Sequence, residues 1–299
     1  MILSRPAQVV LAFALIYVVW GSTYLAIRIG VSEQPPLLFA GVRFLIAAPI
    51  LLAYGFWRGL RLPTARRDWN IIAITAVLML VGGNGLVTWS ERWVESNQAA
   101  LIVATSALWM AGFGALGQAG ERPNAWTVIG LVLGFLGVAV LVGAGLQAHA
   151  APASAYGALL LAPVLWAAGS IYARRQPPAC PPLMTAALQM LITGLIMTTL
   201  GLAAGEAPEW QWAPSSLGAL LYLAIFGSCI AYGAYVWLVH EVTPSLLGTY
   251  AYVNPAVAVV LGWWWLDERL SPMQVLGTLI ILAAVVLVTL ASRRRGPGR

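Results

Sequence analysis

The sequence predicts an all-α polytopic membrane protein, with ten transmembrane helices arranged as two inverted five-helix repeats. Composition, apolar run length and internal duplication predict it. Of 299 residues, 61% are hydrophobic and 9% charged, whereas a water-soluble domain is nearer a quarter charged. Apolar runs of about 20 residues, the length that crosses a bilayer, recur along the whole chain. Residues 97–130 also return in outline as residues 244–277. At an offset of 147, Glu121-Arg122 falls on Glu268-Arg269, Val128 on Val275 and Gly130 on Gly277, with no gap. Long-period self-similarity of this kind marks an internally duplicated membrane protein.

Taken in order, the predicted spans are 7–29, 36–56, 69–90, 97–118, 124–145, 155–174, 182–204, 216–239, 244–266 and 272–292. The first follows Arg5 and runs past Trp20 and Tyr24 to Arg28 with no small-x-small cleavage site, so it reads as a retained helix rather than a signal peptide. The second opens after Gln34-Pro35-Pro36, the third after Arg61-Leu62-Pro63, and the seventh after Gln176-Pro177-Pro178. Such short Pro- and charge-marked connections leave no room for a soluble module. Small-residue patterns in the fifth, Gly130-x3-Gly134 and Gly134-x2-Gly137, suit close helix packing.

Matching continues at the amino-terminal ends of the two halves. At an offset of 146, Trp20 meets Trp166 and Arg28 meets Arg174, which divides the chain into residues 1–148 and 149–299. Five spans is an odd number, so the second half must enter the membrane upside down. Orientation follows from arginine placement. With both termini cytoplasmic, twelve Arg lie inside (5, 58, 61, 66, 67, 122, 174, 175, 293, 294, 295 and 299) and three outside (28, 92 and 269). The net charge of +6 thus reads as a topology signal and not as a nucleic-acid footprint. Cys180 and Cys229 lack the spacing of a metal or redox pair and receive no role.

Pro-Pro-x-x-Phe-x-x-x-Arg-Phe over residues 35–44, the pair Asn254-Pro255 and the repeated Glu-Arg hinge together resemble the drug/metabolite transporter superfamily, EamA branch. The resemblance spans the chain. It implies export of small metabolites by alternating access from a bacterial-type inner membrane. Within that range the aromatic content favours aromatic and other neutral amino acids, with amphipathic drugs or purines as the alternative. The partners so implied are a small-molecule substrate and membrane lipid, with one chain able to form a complete pathway.

Several residues are candidates for that pathway. Phe13, Tyr17, Trp20 and Tyr24 form one helical stripe, with Ser22 and Thr23 beside its end. Trp20 and Tyr24 stand out because Trp166 and Ser170 sit at the corresponding level of the sixth span. Asn84, inside Gly82-Gly83-Asn84-Gly85, shares a face with Thr88, and a mid-membrane Asn either contacts substrate or ties helices. Trp109 pairs with Ser106, and Ser228, Tyr232 and Tyr235 form a weaker set of hydroxyls. Tyr250 and Asn254 share a face above Pro255, which removes a backbone donor and is expected to kink the ninth helix; Pro49 and Pro163 are expected to bend theirs. Arg43 is the one charge well inside a span. It can snorkel, bond a neighbouring helix or attract a carboxylate, and its counterpart in the other half is the neutral Gln189, a pairing that favours a structural role.

No acid lies deep in a span, so a carboxylate relay is not visible and facilitated diffusion fits, while proton antiport through Glu91 or Glu268 stays open. An intramembrane enzyme would need a Ser–His, paired-Asp or clustered His site, and a channel a polar filter or charge ring. Neither pattern is present, and no catalytic residue, metal or cofactor is assigned.

Overall fold

In the computed structural model the described residues are 4–94, 96–117, 123–143, 151–257 and 272–293. They are helical, with no strand among them. In chain order the helices are α1 (Arg5–Glu33), α2 (Pro36–Trp57), α3 (Arg66–Ser90), α4 (Ser96–Ala104), α5 (Ser106–Ala115), α6 (Ala125–Gly143), α7 (Ala153–Arg175), α8 (Pro182–Ala203), α9 (Pro214–Glu241), α10 (Pro244–Leu247) and α11 (Pro272–Arg293), with residues 250–257 also helical. Six of these, α1, α2, α3, α7, α8 and α9, are long and apolar enough to cross a membrane, which makes this a multi-pass membrane protein. Large apolar side chains such as Val18, Leu160 and Leu195 are exposed on the outer faces, the surface a lipid solvent requires.

Two predicted spans are divided. The fourth breaks at Thr105 and the ninth after Leu247. At each break a threonine hydroxyl bonds back to the carbonyl three residues earlier, Thr105 to Ile102 and Thr249 to Leu246, both at 2.7 Å. This bond competes with the helical ladder. At Gly248 a Cβ would lie 2.9 Å from the Ala107 Cα, so the two broken segments meet backbone to backbone. Both Glu-Arg hinges, residues 258–271 with Trp263, Trp264 and Trp265, His149, and Arg294, Arg295 and Arg299 lie outside the described residues.

Paired features recur at the spacing of the sequence duplication. Helices α2 and α8 each open on the second Pro of a Pro-Pro pair, run for 22 residues, and begin 146 residues apart. They pack along their lengths, with Gly55 against Met184 and Gly201 against Leu38. Within α3, residues Ala76–Gly85 are π-helical, and within α9 so are Leu223–Tyr232, displaced by 147 at both ends. Helices α6 and α11 form a second long pair, with Gly130 against Val288. Helices α2 and α7 continue through Pro49 and Pro163 without interruption.

Candidate functional site

Between these helices lies a cavity of about 70 Å³. At ~10–15 Å³ per water by the same kind of measure, that is room for about five waters, so a ring-bearing solute needs the walls to part.

One wall is aromatic. Trp20 of α1 stands edge-on to Trp166 of α7 with centroids 5.5 Å apart, and edge-on to Tyr250 at 5.2 Å. Behind them Tyr235 touches Trp20, Trp166 and Tyr250 at 5.1, 5.2 and 5.6 Å. Polar ring atoms are satisfied within the wall, as buried Trp and Tyr require. The Trp20 Nε1 donates to the Gly227 carbonyl at 3.0 Å, and the Trp166 Nε1 to the Tyr235 hydroxyl at 2.9 Å. Gly83 permits this approach, since a Cβ there would lie 2.8 Å from Trp166 Cε3.

Polar groups enter from the opposite side. Arg43 of α2 lines the cavity and is 4% exposed. Its Nε donates to Ser228 Oγ at 2.9 Å and its NH1 reaches Asn84 Oδ1 at 3.4 Å. No carboxylate pairs with it among the described residues. Leaving a buried guanidinium without an anion costs several kcal/mol, by order of magnitude. Asn254 also lines the cavity, and its buried Oδ1 has no hydrogen-bond partner among the described residues, a cost of about 1–3 kcal/mol. A cation lacking an anion and an acceptor lacking a donor thus share one aromatic chamber.

Of the sequence-predicted residues, Trp20, Tyr24, Asn84, Trp166, Tyr250 and Asn254 line this cavity, as does Pro163. Thr88 and Ser170 are buried just behind it, bonding to the Asn84 carbonyl at 3.0 Å and to the Tyr235 hydroxyl at 2.7 Å. Trp109 is not brought to it: the ring is 41% exposed and packs against Phe113. Pro49 is exposed on α2, and Pro255 is buried within residues 250–257. Arg43, for which the sequence favours a structural role, and Tyr232 join the lining. Gln189, the counterpart of Arg43, shares its use as a tie between helices. Arg43 bonds one residue of α3 and one of α9, and Gln189 does the same, donating to Thr75 at 2.6 Å and accepting from Tyr232 at 2.8 Å.

The sequence matches the profile of the EamA-like transporter family at residues 8–143 and again at 153–290. It is 41% identical over 279 residues to the "uncharacterized inner membrane transporter YedA" of Escherichia coli (strain K12), covering 93% of this chain and 89% of that one. It is also 24% identical over 305 residues to the "probable amino-acid metabolite efflux pump" of Salmonella typhimurium, covering 95% and 96%. A solved crystal structure of a protein superposes with a TM-score of 0.81 at 23% identity, over 98% of this chain and 100% of the other, a likeness of fold.

Proposed function

Because the chain belongs to the EamA-like transporter family, we propose that it exports small metabolites, with aromatic and other neutral amino acids as its substrates, by alternating access through the central cavity. The observation that carries this reading is that, among the described residues, Arg43 lacks an anion and the Asn254 Oδ1 lacks a donor in one aromatic chamber. An amino acid supplies the missing group to each. Its carboxylate meets the guanidinium, its ammonium meets the amide oxygen, and its side chain lies on Trp20 and Trp166, with cation–π attraction available to the ammonium. A neutral side chain suits these walls, whereas a cationic amphipath would approach Arg43 with like charge.

On this reading, residues 1–148 and 149–299 are inverted five-helix repeats, ten spans in all. The equal lengths and 146-residue displacement of α2 and α8, and the 147-residue displacement of the π-helical stretches, support the duplication. The arginine distribution supports cytoplasmic termini. Related halves about one site provide the two faces that alternating access requires.

Counterflow into liposomes holding the purified protein tests the substrate class. Vesicles are loaded with one unlabelled solute at a time from amino acids, nucleobases and cationic drugs. Saturable uptake of labelled Phe or Trp, with little response to charged amino acids, is the expected result. A response to drugs or nucleobases with none to amino acids would overturn it.

A further inference from the structure

Glu91 immediately follows α3 and is 0% exposed. Neither carboxyl oxygen has a hydrogen-bond partner among the described residues. Arg28 of α1 does not rescue them, because its NH1 donates to the backbone carbonyl of Glu91. An ionised carboxylate so placed is far costlier than the neutral acid.

Its position is equally informative. The Glu91 amide donates to the carbonyl of Val87, which lines the central cavity, while the next residue, Arg92, lines a second, polar cavity of about 510 Å³ with Arg28, Glu33, Gln34 and Glu209. Helix α1 repeats the arrangement, since Tyr24 lines the first cavity and Arg28, one turn later, the second. Glu91 therefore lies in the partition between the substrate cavity and a polar vestibule.

We propose that Glu91 is the proton site of the transport cycle, holding a proton in this conformation and exchanging it with the vestibule when the partition opens. Opening hydrates the carboxyl, which gives its proton to vestibule water as hydronium. The reverse step forms the O–H bond from hydronium, leaves water, and permits reburial. Among the described residues, Tyr24 and Arg28 of α1 act on the site electrostatically, Arg92 pairs with Glu209 at 3.6 Å across the vestibule, and α2 brings Arg43 on the cavity side. Burial pushes the Glu91 carboxyl well above the usual carboxylate range, and Arg28 draws it back less strongly.

The protonation arm of the test does not depend on the substrate. Infrared spectra of the purified protein at neutral pH are expected to show the C=O stretch of a protonated carboxylic acid that is absent from Glu91→Gln and displaced in Glu91→Asp. Identical spectra for wild type and Glu91→Gln would overturn the proposal. The coupling arm rests on the amino-acid reading and uses labelled phenylalanine in liposomes. A one-unit pH difference supports about tenfold accumulation at one proton per solute. Wild type is expected to accumulate the label, and Glu91→Gln to keep gradient-free counterflow while losing accumulation. Accumulation by Glu91→Gln equal to wild type, or wild-type counterflow that a pH gradient cannot drive uphill, would overturn it. Absence of counterflow from wild type would count against phenylalanine as substrate, and the infrared result would then decide the proposal.

Discussion

Arg43 and Ser228 tie α2 to α9 through one bond, from the guanidinium Nε to the hydroxyl at 2.9 Å. Asn84 on α3 takes a second, longer one at 3.4 Å. Both partners are neutral, so they orient the guanidinium without neutralising it. On the amino-acid reading, a ligand carboxylate supplies the charge.

Replacing Arg43 tests that assignment. Removing one member of a buried charge pair typically costs about 2–5 kcal/mol of binding, so Arg43→Gln is expected to weaken phenylalanine counterflow by well over tenfold. The carboxyl-free cation phenethylamine, which Arg43 opposes with like charge, should be unaffected or gain. Equal losses for both solutes would place Arg43 in the scaffold alone.

Asn254→Ala separates substrate binding from stability. The Oδ1 has no partner among the described residues to lose, and removing a buried unsatisfied acceptor relieves about 1–3 kcal/mol. Melting in detergent is expected to hold steady or rise while counterflow falls. A fall in both together would show that Asn254 supports the helix break instead.

Gln189→Leu should behave in the opposite way. It strands the Tyr232 hydroxyl, which Gln189 holds at 2.8 Å, and removes the 2.6 Å bond to Thr75 Oγ1, which keeps its own bond to the Ile71 carbonyl. The expected cost is about 1–3 kcal/mol of stability, read as a lower melting midpoint. An unchanged midpoint would mean that water replaces the amide.

Glu91 predicts the direction of a pH dependence. Its carboxyl is raised by burial in the fold, so between the ordinary carboxylate range and the raised value the fold binds more protons than the unfolded chain. The stabilisation is full below the ordinary range and is lost as pH rises through the raised value, by up to ~1.4 kcal/mol per pH unit. Thermal melts across that window should decline for wild type and flatten for Glu91→Gln. Parallel curves would assign the dependence elsewhere.

Much of the chamber was legible in the sequence because it depends on helical period. Trp20 and Tyr24 share a stripe, Tyr250 and Asn254 share another, and the duplication brings Trp166 to Trp20. Trp109 obeys the same period, but its ring is half-exposed beside Phe113, and periodicity alone cannot say which face a neighbour covers. The breaks at Thr105 and Thr249 were hidden because a threonine's choice between water, ladder and back-bond is made by packing. Arg43 was ambiguous because what distinguishes an anchor from a tie is a missing partner, a property of three dimensions.

The π-helical stretches of α3 and α9 bear on how such walls can move. In a π-helix each N–H reaches the carbonyl five residues back rather than four, so a turn can exchange one bond length for the other and advance the exchange residue by residue. Two helices built this way can swivel the faces bearing Asn84 and Tyr232 without ever presenting a run of bare amides to hydrocarbon.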